Sequence, residues 1–166
     1  PASFYAHVNS RNEQLEIARQ LVYSNVDFYA GGGANFFTNR LDSHNLLDSL
    51  TAQNIKWDTT SIVKKELNIN DRYVFLLDGD GLKAKHEGRG DDLLSASKIA
   101  LNYLSKKDSN FFCMIEGSQI DWGGHNNDAN YVAQEVLDFD KVIGAVLDFA
   151  TKDGNTLVIV TADHET

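Results

Sequence analysis

The 166-residue chain has one cysteine, Cys113, so no disulfide can form within it and the redox compartment is undetermined. Cys113 lies inside an apolar run and reads as a core residue. No apolar run approaches the roughly 18 residues that a bilayer-spanning helix needs. Positive charge is scarce as well. Fifteen Lys and Arg face 24 Asp and Glu, for a formal net charge of −9 at pH 7. Nucleic acid and anionic membrane both call for clustered positive charge, so neither is an expected partner. An anionic substrate would have to be drawn by something other than the overall field, and bound cations would serve. Internal repeats, low-complexity tracts, linkers and a targeting segment are all missing, and the first residue is Pro1 rather than Met. The chain stops two residues after His164, directly behind a hydrophobic run. The expectation is an internal fragment of a longer protein.

With 42% apolar and 23% charged residues the composition is that of an ordinary globular protein, most simply one domain over residues 1–166. Leu15, Ala18, Leu21 and Val22 give Asn12–Tyr23 the spacing of an amphipathic helix. Val26–Ala30 reads as a strand ended by Gly31-Gly32-Gly33, a turn that needs positive φ rather than a phosphate cradle. Leu46–Gln53 and Ser61–Leu67 read as short helices, and Tyr73–Leu77 as a strand. The following Asp78-Gly79-Asp80-Gly81 resembles the start of a calcium loop. The pattern fails, because Leu82, Lys83 and Arg89 occupy the positions that need an oxygen ligand, glycine and glutamate. The stretch to Asp92 is left as a long polar loop, a candidate functional surface. Leu93–Leu104 is expected to be a helix closed by Lys106 and Lys107 near its negative end. Phe111–Ile115 and Thr156–Val160 read as strands. Between them Val132, Val136, Phe139, Ile143, Val146 and Ala150 mark a long helix capped by Asp128 or Asn130. Helices alternating with apolar strands predict an α/β fold, a mainly parallel sheet with helices on both faces.

Chemistry concentrates where the last two apolar runs end. FFCMIEGSQIDWGGH, Phe111–His125, carries Glu116, Asp121 and His125, and the final run ends in Thr161-Ala162-Asp163-His164. Ligands bind beyond the carboxyl ends of strands in sheets of this kind, where both clusters would fall. Asp121 and His125, four apart, share one side of a helical turn or tight loop, and Gly123 and Gly124 between them permit a compact loop. Asp163 and His164 are adjacent and can share an ion only if the strand has already broken. Carboxylate with imidazole suits zinc or another borderline divalent ion. Glu116, apart from the imidazoles, suits a harder ion such as magnesium. Each residue taken alone also fits a cap or a loop hydrogen-bonder. His7, His44 and His86 read as surface residues.

EGSQIDWGGH at Glu116–His125, together with VTADHET at Val160–Thr166, closely resembles the alkaline phosphatases. The likeness runs back through the FF run to PASFYAH at the first residues and so covers essentially the whole chain. It implies an alkaline-phosphatase-like fold whose core is incomplete in this segment, and a phosphate monoester hydrolase working through a phosphoserine intermediate. It implies two zinc ions and one magnesium. Glu116 corresponds to the magnesium ligand, Asp121 and His125 to two ligands of one zinc, and Asp163 and His164 to two ligands of the other. An exported bacterial parent, periplasmic or secreted, follows by the same resemblance, and a homodimer is open for that parent.

Trp122 departs from the pattern. Some members carry a lysine or histidine there, near the phosphate, and an indole cannot supply that charge. Packing of the loop and contact with substrate are both open for this ring. The family's serine nucleophile, its bridging aspartate, a threonine ligand and its phosphate-binding arginine match nothing here and are expected upstream of Pro1. A further zinc-ligand histidine is expected beyond Thr166. The segment alone is therefore expected to be inactive. Alternatives are a related phosphodiesterase or sulfatase, or a metal-binding domain without catalysis.

Overall fold

The structure, a computed structural model, describes residues 2–62, 66–107 and 110–165, which fall into two compact units. The first unit comprises Pro1–Leu82 with Lys106–Asn110. Its helix α1 (Gln14–Tyr23) buries Ala18, Leu21 and Val22, the i, i+3, i+4 face that the spacing predicts. Strand β1 (Phe28–Gly32) runs into Gly33, whose φ of 107° starts helix α2 (Ala34–Thr38). The positive φ expected of the triple glycine thus falls on its third residue. Helix α3 (Leu46–Ala52) is capped by Asn45, whose side chain accepts from the Leu47 amide. Then come β2 (Ile55–Asp58) and β3 (Arg72–Asp78).

The three strands form a parallel sheet in the order β1-β3-β2. Central β3 buries Val74, Phe75 and Leu76 in succession, as a strand covered on both faces must. Strand β2 was hidden in the sequence because Ile55-Lys56-Trp57-Asp58 buries only Ile55. Of the helix expected over Ser61–Leu67, residues 63–65 lie outside the described residues and the flanking four are not helical. The Asp-Gly-Asp-Gly turn is structural. The Gly33 amide donates to the Asp78 carbonyl (3.1 Å), the Asn35 amide to the Gly79 carbonyl (2.9 Å), and Asn35 Nδ2 to Asp80 Oδ1 (3.1 Å). A Cβ on Gly32 would lie 2.6 Å from Gly81 Cα, so the backbones meet where only glycine fits. Lys107 does not close a helix end. Its ammonium is 3.0 Å from Asp27 and donates to the Ile69 carbonyl.

The second unit comprises Lys83–Ser105 and Phe111–Thr166. It holds α4 (Asp92–Leu104), α5 (Gln119–His125) and α6 (Ala129–Asp153). Asp128 caps α6 as expected, accepting from the amides of Asn130 and Tyr131 at 3.0 Å, and Gly154 ends it at a φ of 73°. The buried stripe of α6 is not the apolar one read from the sequence. Val136 is 46% exposed, while Tyr131, Glu135, Asp138 and Val142 are buried.

Two of those four are carboxylates, and cations meet them. Arg89 Nη2 lies 2.6 Å from Glu135 and 2.9 Å from Asp138, and Lys85 Nζ lies 2.5 Å from Asp138. The Lys85 amide donates to Glu135 as well. Burial pushes the Arg89 and Lys85 pKa values down, but their carboxylate partners outweigh it and both end up raised. The polar loop after Asp80 is therefore pinned to α6 by buried ion pairs.

The expectation of strands at Phe111–Ile115 and Thr156–Val160 is not met. Among the described residues neither run pairs with another strand. A strand exists only through its ladder, and the side-chain period of two is present here without one. Phe111, Cys113 and Ile115 are half-buried and alternate with exposed Phe112, Met114 and Glu116. Leu157 and Ile159, at 84% and 77% exposure, alternate with half-buried Thr156 and Val158. Cys113 is half-buried rather than core, and burial raises its thiol pKa.

Replacing Arg89 by Met should destabilise the protein by about 3–5 kcal/mol in urea unfolding, because two buried carboxylates lose their main cation. Substituting Glu135 and Asp138 by apolar residues in the same variant should recover most of that loss.

Candidate metal centre

Helix α5 presents the first cluster. Asp121 and His125 sit one turn apart on it, and His125 Nε2 lies 3.3 Å from Asp121 Oδ1. The chain after Val160 bends at Asp163 and His164 and brings His164 Nε2 to 3.9 Å from the same Asp121 oxygen. His164 Nε2 is also 3.5 Å from Asp163 Oδ2. The break that two adjacent ligands require is present. Asp121 thus stands between two imidazoles that are 39 residues apart in the chain, with Asp163 on the far side of His164. All four side chains are open to water, from 40% for Asp121 to 89% for Asp163. Hydrogen bonding to the Glu165 carbonyl raises the His164 pKa, with the charges of Asp163 and Asp121 adding to it. A metal ion would have to displace that proton.

The separations within each pair, 3.3 Å for Asp121–His125 and 3.5 Å for Asp163–His164, suit a cation shared by that pair. Around a tetrahedral zinc with bonds of about 2.0–2.1 Å, neighbouring ligand atoms lie about 3.3 Å apart. As they stand, no three His, Cys, Asp or Glu side chains among the described residues close around one point. The donor set is therefore two carboxylates and two imidazoles arranged pairwise. Glu116 is exposed in the segment before α5. Trp122 is on α5 and 58% exposed. His7, His44 and His86 are exposed as expected, and the His86 ring meets Tyr131 edge-on at 4.6 Å.

Helix α5 itself is improbable in isolation. It has seven residues, two of them glycine, and Ser118 gives it no side-chain cap. Each glycine costs about 1 kcal/mol relative to alanine, and a helix this short is marginal in water. Packing on α6 supplies what propensity lacks. A Cβ on Gly123 would lie 3.0–3.1 Å from Val132 Cγ2, Tyr131 Cγ and the Val132 amide nitrogen. One on Gly117 would lie 2.9 Å from Phe139 Cγ. Gly123 therefore permits a helix contact, where the sequence suggested a compact loop. The Asp128 amide donates to the Gly123 carbonyl (3.1 Å), closing the turn between the helices. Sequence reasoning missed Gln119 and Tyr131, both buried and hydrogen-bonded to each other. Their signal was Tyr131 standing i−4 to Glu135 on a stripe other than the obvious apolar one.

The alkaline phosphatase family model matches residues 1–166. The chain belongs to the alkaline phosphatase family. It is 36% identical to alkaline phosphatase 4 of Bacillus subtilis over all of its own length and 37% of that protein's. It is 33% identical to the repressible alkaline phosphatase of Saccharomyces cerevisiae, covering 35% of it. The solved alkaline phosphatase from the Antarctic bacterium TAB5 superposes with a TM-score of 0.92 at 46% identity, over the whole chain and 49% of that structure. A variant of that phosphatase has been solved with magnesium bound. The chain spans little more than a third of the curated relatives it matches and about half of the TAB5 structure.

Gly123→Ala should destabilise the protein by about 1–3 kcal/mol, because the methyl would crowd the Tyr131 ring, the Val132 side chain and the Val132 amide nitrogen of α6 together. Urea unfolding of the metal-free protein measures it.

Proposed function

We propose that this chain is the metal-binding portion of a phosphate monoester hydrolase that works through a phosphoserine intermediate. The observation that carries the reading is Asp121 flanked by His125 and His164 at 3.3 and 3.9 Å. Membership of the alkaline phosphatase family supports it. In this proposal Asp121 and His125 hold one zinc, Asp163 and His164 a second, and Glu116 a magnesium. Bound zinc supplies Lewis-acid polarisation of the phosphoryl oxygens and a means of activating the attacking oxygen. The chain's own part is to hold ligand atoms at fixed separations; the bound cations would offset its net charge of −9 locally, so that an anionic ester can approach. Trp122, exposed on the ligand-bearing helix, stands close to where such an ester would sit.

Each zinc receives two ligands here, fewer than the three or four protein ligands zinc sites use. The nucleophile and the remaining ligands belong, in this proposal, to the rest of a longer parent exported to the periplasm or medium and competent to dimerise. Among the described residues no helix is long and apolar enough to cross a membrane.

In the parent, Asp163→Ala should lower zinc content and cut nitrophenyl phosphate turnover. The loss should exceed the roughly 10–100-fold that losing an outer hydrogen-bond partner of a ligand costs. Full activity with full zinc in that variant would refute the assignment. The isolated segment should show no metal-dependent hydrolysis, and measurable turnover by it would contradict the division of labour.

A further inference from the structure

The two exposed ligands of α5 stand on a short helix whose first residue is hydrogen-bonded to a buried tyrosine of α6. Gln119, the first residue of α5, is 8% exposed, and its Oε1 accepts a hydrogen bond from the Tyr131 hydroxyl. Tyr131 is the third residue of α6 and is also 8% exposed. Its amide donates to the capping Asp128, its ring packs edge-to-face with His86, and its Cγ would lie 3.1 Å from a Cβ on Gly123. One side chain thus holds the start of α5 and flanks its middle. Burial, with Glu135 and Glu87 nearby, raises the Tyr131 pKa, so the hydroxyl stays a donor.

A helix turns about 100° per residue, so Gln119 and Gly123 share the face against α6 while Asp121 and His125 lie on the other side. Rotation of α5 about its axis would swing both ligands together. The Gln119–Tyr131 bond is a directional contact against such rotation, whereas the glycine contact fixes distance but not angle. Tyr131 in turn stands on the stripe that continues to Glu135 and Asp138, where Arg89 and Lys85 pin α6.

We propose that Gln119 and Tyr131 are positioning residues for metal binding, their hydrogen bond setting the rotation of α5 so that Asp121 and His125 face His164. The proposal rests on the metal reading above. Fixing a ligand's orientation from behind is worth roughly 10–100-fold in metal affinity in known sites.

The test uses the full-length protein. Zinc affinity is measured by competition with a chromophoric chelator, cobalt is substituted to report ligand geometry by its visible spectrum, and urea unfolding is followed without metal. Tyr131→Phe and Gln119→Met should each weaken zinc binding about 10–100-fold and alter the cobalt spectrum. The double variant removes both ends of the bond at once, and its metal-free stability, read by urea unfolding, separates loss of fold from loss of ligand direction. Its zinc affinity should stay as weak as in the single variants, because one bond has been lost in all three. A parent that binds zinc, with a double variant within about twofold of it, overturns the positioning role alone. A parent that binds no zinc overturns the metal reading, and this proposal with it.

Discussion

The closeness of α5 to α6 is the constraint on which the rest of the site depends. A seven-residue helix with two glycines has no stability of its own. It exists because Gly117 and Gly123 leave room for α6 side chains and backbone to come within van der Waals distance. Larger residues at either position would push the helix off its support. The same glycines that weaken the helix locally are what permit its tertiary packing, an instance of tertiary context overriding propensity. Everything carried on α5, Asp121 and His125 above all, inherits its placement from that contact.

Charge is divided in an instructive way. The carboxylates Glu135 and Asp138 are almost fully desolvated, paired with Arg89 and Lys85, and hold a polar loop against α6. A buried arrangement of this sort gives little net stability but is costly to break, so it fixes one geometry. The carboxylates and imidazoles of the candidate metal centre are in water instead. Solvated ligands can exchange protons and accept a cation; desolvated ones already committed to arginine cannot. The buried charges are scaffold, and in the proposed function the exposed ones carry the chemistry.

Much of this could be read from sequence. The caps of α6, the first-unit helices α1 and α3, strands β1 and β3, and the i, i+4 placement of Asp121 and His125 all follow from local periodicity and spacing. What escaped was non-local. Strand β2 has a single buried residue and no apolar run to announce it. Phe111–Ile115 and Thr156–Val160 have every side-chain attribute of strands, but pairing is a property of a partner and no local pattern contains one. The inward face of α6 was misread because a stripe with two carboxylates looks solvated until Arg89 and Lys85, more than 40 positions away, are placed against it. Spacing alone paired Asp121 with His125 and Asp163 with His164. That the pairs adjoin through Asp121 emerges only from the fold.

In the proposed function Asp121, His125, Asp163 and His164 form adjoining zinc positions. X-ray absorption at the zinc edge of the full-length protein addresses it directly. The account predicts nitrogen and oxygen scatterers only, at about 2.0–2.1 Å, with imidazole contributions and a metal–metal distance of about 3.5–4 Å. A sulfur scatterer near 2.3 Å, which would bring in Cys113, or a zinc ion without imidazole ligation, would contradict it.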